Sequence, residues 1–503
     1  MRFENLEKKE IRNCFNNLND YLNLKDRKYV KYIDLKCAVI RLISYSAEFI
    51  PLSEKQLTYV LKDDMPYYDA TLVVWKEEDM ENLAKKICDK FNPRTNMRLR
   101  VESLIFKENN IFDIAVKDDD FSFNKPVIDI QNTRGFFIGN DYQTNTYYYG
   151  VRNLEPEEFI KEGHIFVQFF NNILKTKTTN LVHGAVVGFD DNGILFCARG
   201  QRGKSTLAVL SMIKGFDYVS DDYLILSKEN NELYSYPIYS IITLSPRMYN
   251  ELYDYLSSSR FVSNNARKDK YVFNISNFHD KFKVKYPIKL CIFPEITSNK
   301  NPSIYPCKKG RAIAQLIHST LMQTADLSDT KTVKKLIDMV YDFEFYKFDL
   351  CCDIEKNTKF LKEFMNEFKN KKEIQKCENS ERFYIDITFD LANIIDSTTG
   401  AIYSMNKFAT CVYQNLISGV KKEKIIQELQ YIPHIEKNIN YLIDSLKQRG
   451  ILTDVIENDN NPSINKSFIE ESQSVLSIHQ YFNKECIELV KENKENRNEL
   501  CIK

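Results

Sequence analysis

The stretch ARGQRGKST, Ala198 to Thr206, decides how the rest of the chain is read. Gly203, Lys204 and Ser205 fill the last places of the phosphate-loop pattern G-x-x-x-x-G-K-[ST]. The first place holds Ala198 rather than glycine, and a glycine stands instead at Gly200. Such a loop works because successive backbone N–H groups point at phosphate oxygens beside the positive end of the next helix. Several of its positions need φ > 0 or have no room for a Cβ, which is why glycine serves there. Ala198 adds one methyl, so the loop is a relaxed version of the pattern. In it Lys204 would set a point charge at the β- and γ-phosphates, Ser205 would hold Mg²⁺, and Thr206 would open the helix.

Working outward, GILFCA reads as a strand before the loop, TLAVLSMIKG as the helix after it, and YVSDDYLILS as a further strand. Strand, loop, helix, strand is the order in which a phosphate loop is credible. Asp221 lies 17 positions after Lys204, with Asp222 next to it, and His183 lies 21 positions before, in LVHGAVV. Two adjacent carboxylates could divide labour between a metal ion and a substrate proton, although paired acids also open ordinary turns. A lone histidine at a strand edge is more often structural than functional. Here Gly184 follows it and allows close approach of another group.

LVHGAVV, GKSTLAVL, Gly215 and YVSDDYLIL together resemble the core of HPr kinase/phosphorylase and related serine-kinase-like proteins. The likeness is tight over 181–226 and looser over 161–368. It implies an α/β, PEP-carboxykinase-like P-loop fold and ATP-dependent phosphorylation of a serine hydroxyl. Carried over by position, it implies phosphate binding by the loop residues Ala198, Arg199, Gly200, Gln201, Arg202, Gly203, Lys204, Ser205 and Thr206. It further implies a general base at Asp221, Mg²⁺ held by Ser205 and Asp222, and His183 lining the transfer site with Lys204. The family usually reads G-x-S-G-x-G-K-S, from which this chain departs at Ala198, Gly200 and Gln201, and its long downstream signature is not found. Lys308, Lys309 and Arg311 in CKKGRA read more simply as a solvated basic turn than as phosphate ligands.

A second pattern lies toward the C-terminus. FYIDI and ANIID read as strands, STTG as a turn and AIYSM as a returning strand. Three helices follow in SMNKFATCVYQNLISG, KKEKIIQELQ and HIEKNINYLIDSLKQRG. Gly419 and Gly450 close the first and last of these in C′ position. The order reads as winged-helix-like, but the middle helix carries few residues suited to base edges. Asp396 to Tyr403, Asn406 to Ala409 and Leu442 to Leu452 resemble the PqqD-like domain. That resemblance implies binding of the leader of a ribosomally made precursor peptide, by addition of an extended strand to a sheet edge.

The rest of the chain sets the frame. With 503 residues, 43% hydrophobic and 28% charged, it has the composition of a protein with substantial cores and about three domains. Its 70 basic and 70 acidic residues balance, so nothing points to a nucleic-acid or anionic-membrane partner. The N-terminus is charged where a secretion signal needs an apolar run, and no stretch approaches the roughly 20 apolar residues that span a bilayer. The expected location is cytoplasmic. Twelve scattered cysteines without a C-x-x-C, and six dispersed histidines, suggest reduced structural thiols rather than a metal site.

The expected division is a helical region over 1–65, an α+β region over 66–160, the P-loop kinase core over 161–368, a charged linker over 369–382, the PqqD-like domain over 383–455 and a polar helical tail over 456–503. DLKCAVIRLISYSAEFI reads as helix, Ser53 as an N-cap, and RLRVESLIF with IFDIAV as a hairpin. The functional expectation is a kinase that uses ATP and Mg²⁺ to phosphorylate a hydroxyl, on serine, of a precursor peptide captured through its leader. The alternatives are a non-catalytic adaptor binding nucleotide and peptide, and a small-molecule kinase whose C-terminal module serves homo-oligomerisation.

Overall fold

The computed structural model of the chain describes residues 8–25, 27–87, 114–116, 127–131, 136–141, 143–152, 164–174, 178–198, 202–256, 260–265, 270–275, 278, 280–324, 330–370, 382–388, 391–405, 407–430 and 434–452. These form a mixed α/β protein that divides into two compact units. The larger comprises Met1–Ser103, Lys117–Tyr384 and Asp396–Ala401; the smaller comprises Leu104–Val116, Ile385–Ile395 and Ile402–Lys503.

After the helix Lys8–Asn23, the strands β1 (Tyr29–Asp34), β2 (Val39–Ser44), β3 (Leu61–Lys62) and β4 (Ala70–Lys76) enter a sheet; β5 (Ile114–Val116) belongs elsewhere; and β6 (Val127–Gln131), β7 (Phe136–Asp141) and β8 (Thr146–Val151) complete it. The order is β3-β1-β2-β4-β8-β7-β6. The segment read from sequence as helical is therefore largely strand. Val39, Ile40, Leu42 and Ile43 are all buried, so β2 is covered on both faces and shows no alternation that would betray a strand. β-Branched residues favour the extended form in such a run. Ser53 is not a cap: it lies inside the helix Phe49–Gln56, and its hydroxyl donates to the Phe49 carbonyl. RLRVESLIF and the linker residues 371–381 lie outside the described residues, as do the tail from 453 on and the N-terminal part of FIKEGHIFVQFF.

The second sheet carries the region of interest. It contains β9 (Thr179–His183), β10 (Ala185–Phe189), β11 (Asn192–Phe196), β12 (Asp217–Ser220), β13 (Tyr223–Glu229) and β14 (Glu232–Pro237). A small sheet of β15 (Ile241–Leu244), β16 (Arg260–Asn265) and β17 (Lys270–Asn274) follows, ordered β15-β17-β16. The second sheet is then completed by β18 (Tyr286–Ile296), β19 (Ser303–Pro306) and β20 (Glu344–Leu350), in the order β12-β10-β11-β18-β14-β13-β9 with β20 on β18 and β19 on β20. β11, β18 and β20 run parallel, whereas β10 runs against both β11 and β12. The carboxyl ends of β11, β12, β18 and β20 therefore share one end of the sheet, where α/β proteins place their ligands.

The N-terminal sheet and the second sheet are not separate bodies. One apolar core runs from Ile40, Leu42 and Leu72 through Phe166 and Phe170 to Leu181, Ile225 and Ile238. The boundaries expected near 65 and 160 fall inside this core, which is why the larger unit spans them.

β21 (Phe383–Thr388) and β22 (Leu391–Asp396), which lie mostly in the smaller unit, and β23 (Ile402–Met405) precede the helices Lys407–Ile417, Lys422–Glu428 and Ile435–Gln448, as the sequence leads one to expect. Their sheet is ordered β21-β22-β23-β5, so the segment IAV of the expected hairpin pairs with β23 instead, Ala115 opposite Ser404. No helix among the described residues is long and apolar enough to cross a membrane.

Candidate phosphate site at the carboxyl end of the second sheet

β11 ends at Phe196, and the helix Lys204–Ile213 begins with Gly203 as its N-cap at φ 92°. Only glycine takes that conformation without strain, and a Cβ there would sit 2.8 Å from a Leu350 methyl. Arg199, Gly200 and Gln201 lie outside the described residues; Ala198, Arg202, Gly203, Lys204, Ser205 and Thr206 are described. The first N–H groups of the helix are orphan donors at its positive end, the physical basis of an anion site.

The topology brings the widely spaced polar residues together. β12 delivers Asp221 and Asp222 to the same end as the loop, and β9 pairs with the start of β13 so that His183 lies opposite Tyr223. The Gly184 N–H donates to the Asp222 carbonyl (3.0 Å). A Cβ on Gly184 would meet Leu195 at 2.8 Å and the Phe196 carbonyl at 3.0 Å, so glycine is what lets this corner close on β11.

Lys204 is 6% exposed and sits in a cage of acids and imidazole. Its Nζ donates to Asp222 Oδ1 (2.9 Å) and to His183 Nε2 (3.3 Å), and lies 3.9 Å from Asp221 Oδ1. Burial works against its charge, but Asp222 and Asp221 more than offset that and hold its pKa above the ordinary lysine range. An ammonium only donates, so His183 Nε2 must accept and the ring proton sits on Nδ1. Nδ1 then donates to Ser319 Oγ (2.9 Å), and Ser319 donates to the Ala198 carbonyl (3.3 Å). One chain of hydrogen bonds thus joins the lysine, the histidine and the backbone of the loop.

The two aspartates part company. Ser205 Oγ donates to Asp221 Oδ1 at 3.0 Å, and Asp221 is 1% exposed. Asp222 stands in the left-handed region at φ 64°, and its carboxylate, 17% exposed, turns to Lys204 and Thr243 (3.1 Å). A non-glycine residue held there is strained, and such strain gathers at functional sites. The pair expected for a metal ion was Ser205 with Asp222; the structure instead brings Ser205 to Asp221. The cause is the left-handed turn, which sends two consecutive carboxylates to different partners.

Four participants carry no motif. Thr243 comes from β15; Ser319 and Thr320 come from the helix Lys309–Thr324, with Thr320 Oγ1 accepting from the His183 N–H. His164 places Nε2 3.7 Å from Asp222 Oδ2 and packs edge-on against Tyr223 and Tyr239. Two adjacent hydroxyls beside the apolar Leu316, Ile317 and Leu321, the ST of LIHSTLM, were the one signal that sequence offered. Lys308 and Arg311 are exposed, but Lys309 and Arg311 lie in the first turn of the helix Lys309–Thr324 and not in the expected turn.

Ser205 and Asp221 suit a small hard cation: one hydroxyl and one carboxylate, hydrogen-bonding distance apart, at the positive end of a helix. Mg²⁺ takes few protein oxygens and fills the remainder with water and phosphate oxygen, so two donors are a fitting set.

The fold and site define a mixed α/β protein with a glycine-capped helix start at the carboxyl end of its parallel strands. No family model matches the chain, and no curated protein does. Among solved structures, the HPr(Ser) kinase/phosphatase from Coxiella burnetii is similar at 11% identity and a TM-score of 0.23, with 38% of this chain and 99% of that chain covered. A likeness at that score shows neither fold nor activity.

Proposed function

We propose that the protein is a phosphotransferase that uses ATP and Mg²⁺. In this reading its PEP-carboxykinase-like P-loop core moves the terminal phosphoryl group to a serine hydroxyl of a precursor peptide. The observation that carries the reading is the buried Lys204 at a helix N-terminus, ringed by Asp222, Asp221 and His183. A buried ammonium with two carboxylates is costly to build unless charge is handled at that place. On binding, the triphosphate would take Lys204 and the first N–H groups of the helix. Mg²⁺, held by Ser205 and Asp221, supplies neutralising charge when bound.

Asp222 is the more accessible acid and would accept the hydroxyl proton as the acceptor oxygen bonds to phosphorus and the bond to ADP breaks. Thr243 and the strained backbone fix that carboxylate, so its direction is set before substrate arrives. His183, with its proton on Nδ1, keeps Lys204 and the loop in register.

The C-terminal segment would hold the leader as a PqqD-like module, adding it as a strand. The outer edges of its sheet are those of β21 and β5, since β5 already covers β23. The test is ATP binding and phosphoryl transfer by the full chain beside Asp221→Asn and Asp222→Asn. Asp222→Asn should lose at least about 10²-fold in rate while keeping ATP affinity, as expected of a lost general base. Asp221→Asn should raise the Mg²⁺ needed for half-maximal binding. ATP binding without any transfer would favour an adaptor; equal loss of ATP affinity in both variants would remove the division of roles.

A further inference from the structure

We propose that Arg202 is a phosphate ligand held in reserve by Glu295, and that Lys347 is the counterion that lets it go. The inference rests on the nucleotide reading of the loop, in which Arg202 is one of the motif's variable positions, and adds Glu295 and Lys347, outside the motif, as the pair that governs it. Arg202 immediately precedes Gly203, and its guanidinium donates from Nη1 to Glu295 Oε1 at 2.8 Å. The second oxygen of the same carboxylate takes Lys347 Nζ, also at 2.8 Å. Lys347 lies 3.5 Å from Asp349 Oδ1 as well, and Glu295 and Asp349 are opposite one another on β18 and β20. The cluster therefore sits at the carboxyl ends of two parallel strands, the end that carries the loop.

Two features make the arrangement a latch rather than a fixed strut. Arg202 and Glu295 are each about one-third exposed, at 34% and 37%, so water already competes for their pair. Exposed pairs of that kind contribute little to stability. Phosphate, by contrast, offers a guanidinium two parallel charged hydrogen bonds. Secondly, Glu295 is not stranded when Arg202 leaves. Lys347 bonds its other oxygen, and the cations Lys347, Arg202 and Arg311 together hold its carboxyl below the usual range despite partial burial. A carboxylate with one cation would resist giving it up; one with a second cation already bonded does not.

The latch predicts opposite signs for its two partners. On the full chain, the probe is ATP with Mg²⁺, with AMP as the ligand that lacks the terminal phosphates, and affinity is read by calorimetry. Arg202→Ala should weaken ATP about 10-fold and leave AMP nearly unchanged, the scale of one lost charged hydrogen-bond pair. Glu295→Gln should tighten ATP by about 3- to 10-fold, because the arginine no longer has to leave a charge. That gain should vanish in Arg202→Ala/Glu295→Gln. Lys347→Met should weaken ATP, since Glu295 then holds Arg202 alone; it gives an independent reading should Glu295→Gln fail to fold. A wild-type chain that binds ATP while Glu295→Gln leaves affinity unchanged or lower overturns the latch only. Retention of the gain without Arg202 overturns it too. A wild-type chain that does not bind ATP overturns the nucleotide reading, and the latch with it.

Discussion

Lys204 is the residue on which the site turns, and its surroundings set its energetics. Its ammonium balances Asp221 and Asp222, two carboxylates largely removed from water. Removing one partner of such a buried set leaves charge without compensation, which costs far more than the set contributes in net stability. We therefore expect Lys204→Met to lower unfolding stability by about 3 kcal/mol, besides abolishing nucleotide binding. Lys204→Met/Asp222→Asn should recover part of that loss, since one uncompensated charge goes with it. Urea unfolding of the two variants beside wild type checks both statements. A single variant as stable as wild type would mean that the aspartates lose their charge together with the lysine. The practical consequence is that a lysine variant without activity must be shown to be folded before its rate is interpreted.

At the scale of elements, the turn between β22 and β23 shows how one carboxylate can organise a hairpin. Asp396 Oδ1 accepts from the Thr398 N–H (2.9 Å) and hydroxyl (2.6 Å), while Oδ2 takes Arg382 at 2.8 Å. Burial would raise its pKa, but Arg382 and the Thr398 donors outweigh it and hold the group at about 2. An unfolded aspartate titrates near 3.9. A depressed pKa means that its stabilisation is complete above about pH 4 and is lost as the pH falls from there to about 2. Its size is about 1–2 kcal/mol, discounted because the arginine is half exposed. Asp396→Asn should lower stability by that amount at neutral pH and flatten the acid limb of the stability curve. Thermal unfolding from pH 2 to 7 measures it, and an unchanged acid limb would show that Arg382 does not hold the group. The turn itself was legible: STTG announced it, and Gly400 takes φ 77°, as a turn glycine does.

Over the whole molecule, segments far apart in sequence complete one another. Ile114–Val116 pairs with Met405, Ser404 and Tyr403, so the C-terminal sheet needs a strand from the first quarter of the chain. An unpaired edge strand would otherwise present a row of open N–H and C=O groups. Ala115→Pro in the full chain removes an N–H and constrains that strand. Amide exchange across Ile402–Met405 should then rise at least about tenfold, with β1 and β2 unchanged. Unaltered exchange would place β23's protection elsewhere than in this pairing. The same scale explains why the larger unit runs across the boundaries expected near 65 and 160. Phe166 and Phe170 pack in one core with Leu42 and Leu72, so composition along the chain changes where the core does not.

The sequence by itself determined what is local. The motif at Gly203–Ser205, the strand–loop–helix order, the turn at STTG and the three C-terminal helices follow from φ preferences, capping and apolar period, all set by near neighbours. It misread β2, because a strand buried on both faces shows no alternation of apolar and polar residues, and the apolar residues on either side of Arg41 imitate helical spacing. The tertiary structure alone decided which aspartate meets Ser205. It also decided that Ser319 and Thr243 reach the site, that His164 faces Asp222, and that Glu295 holds Arg202. Those partners lie 16 to 136 positions apart, and only the register of strands and one left-handed residue set their directions. No pattern of neighbours in sequence encodes a direction of that kind, because it arises where separate elements meet.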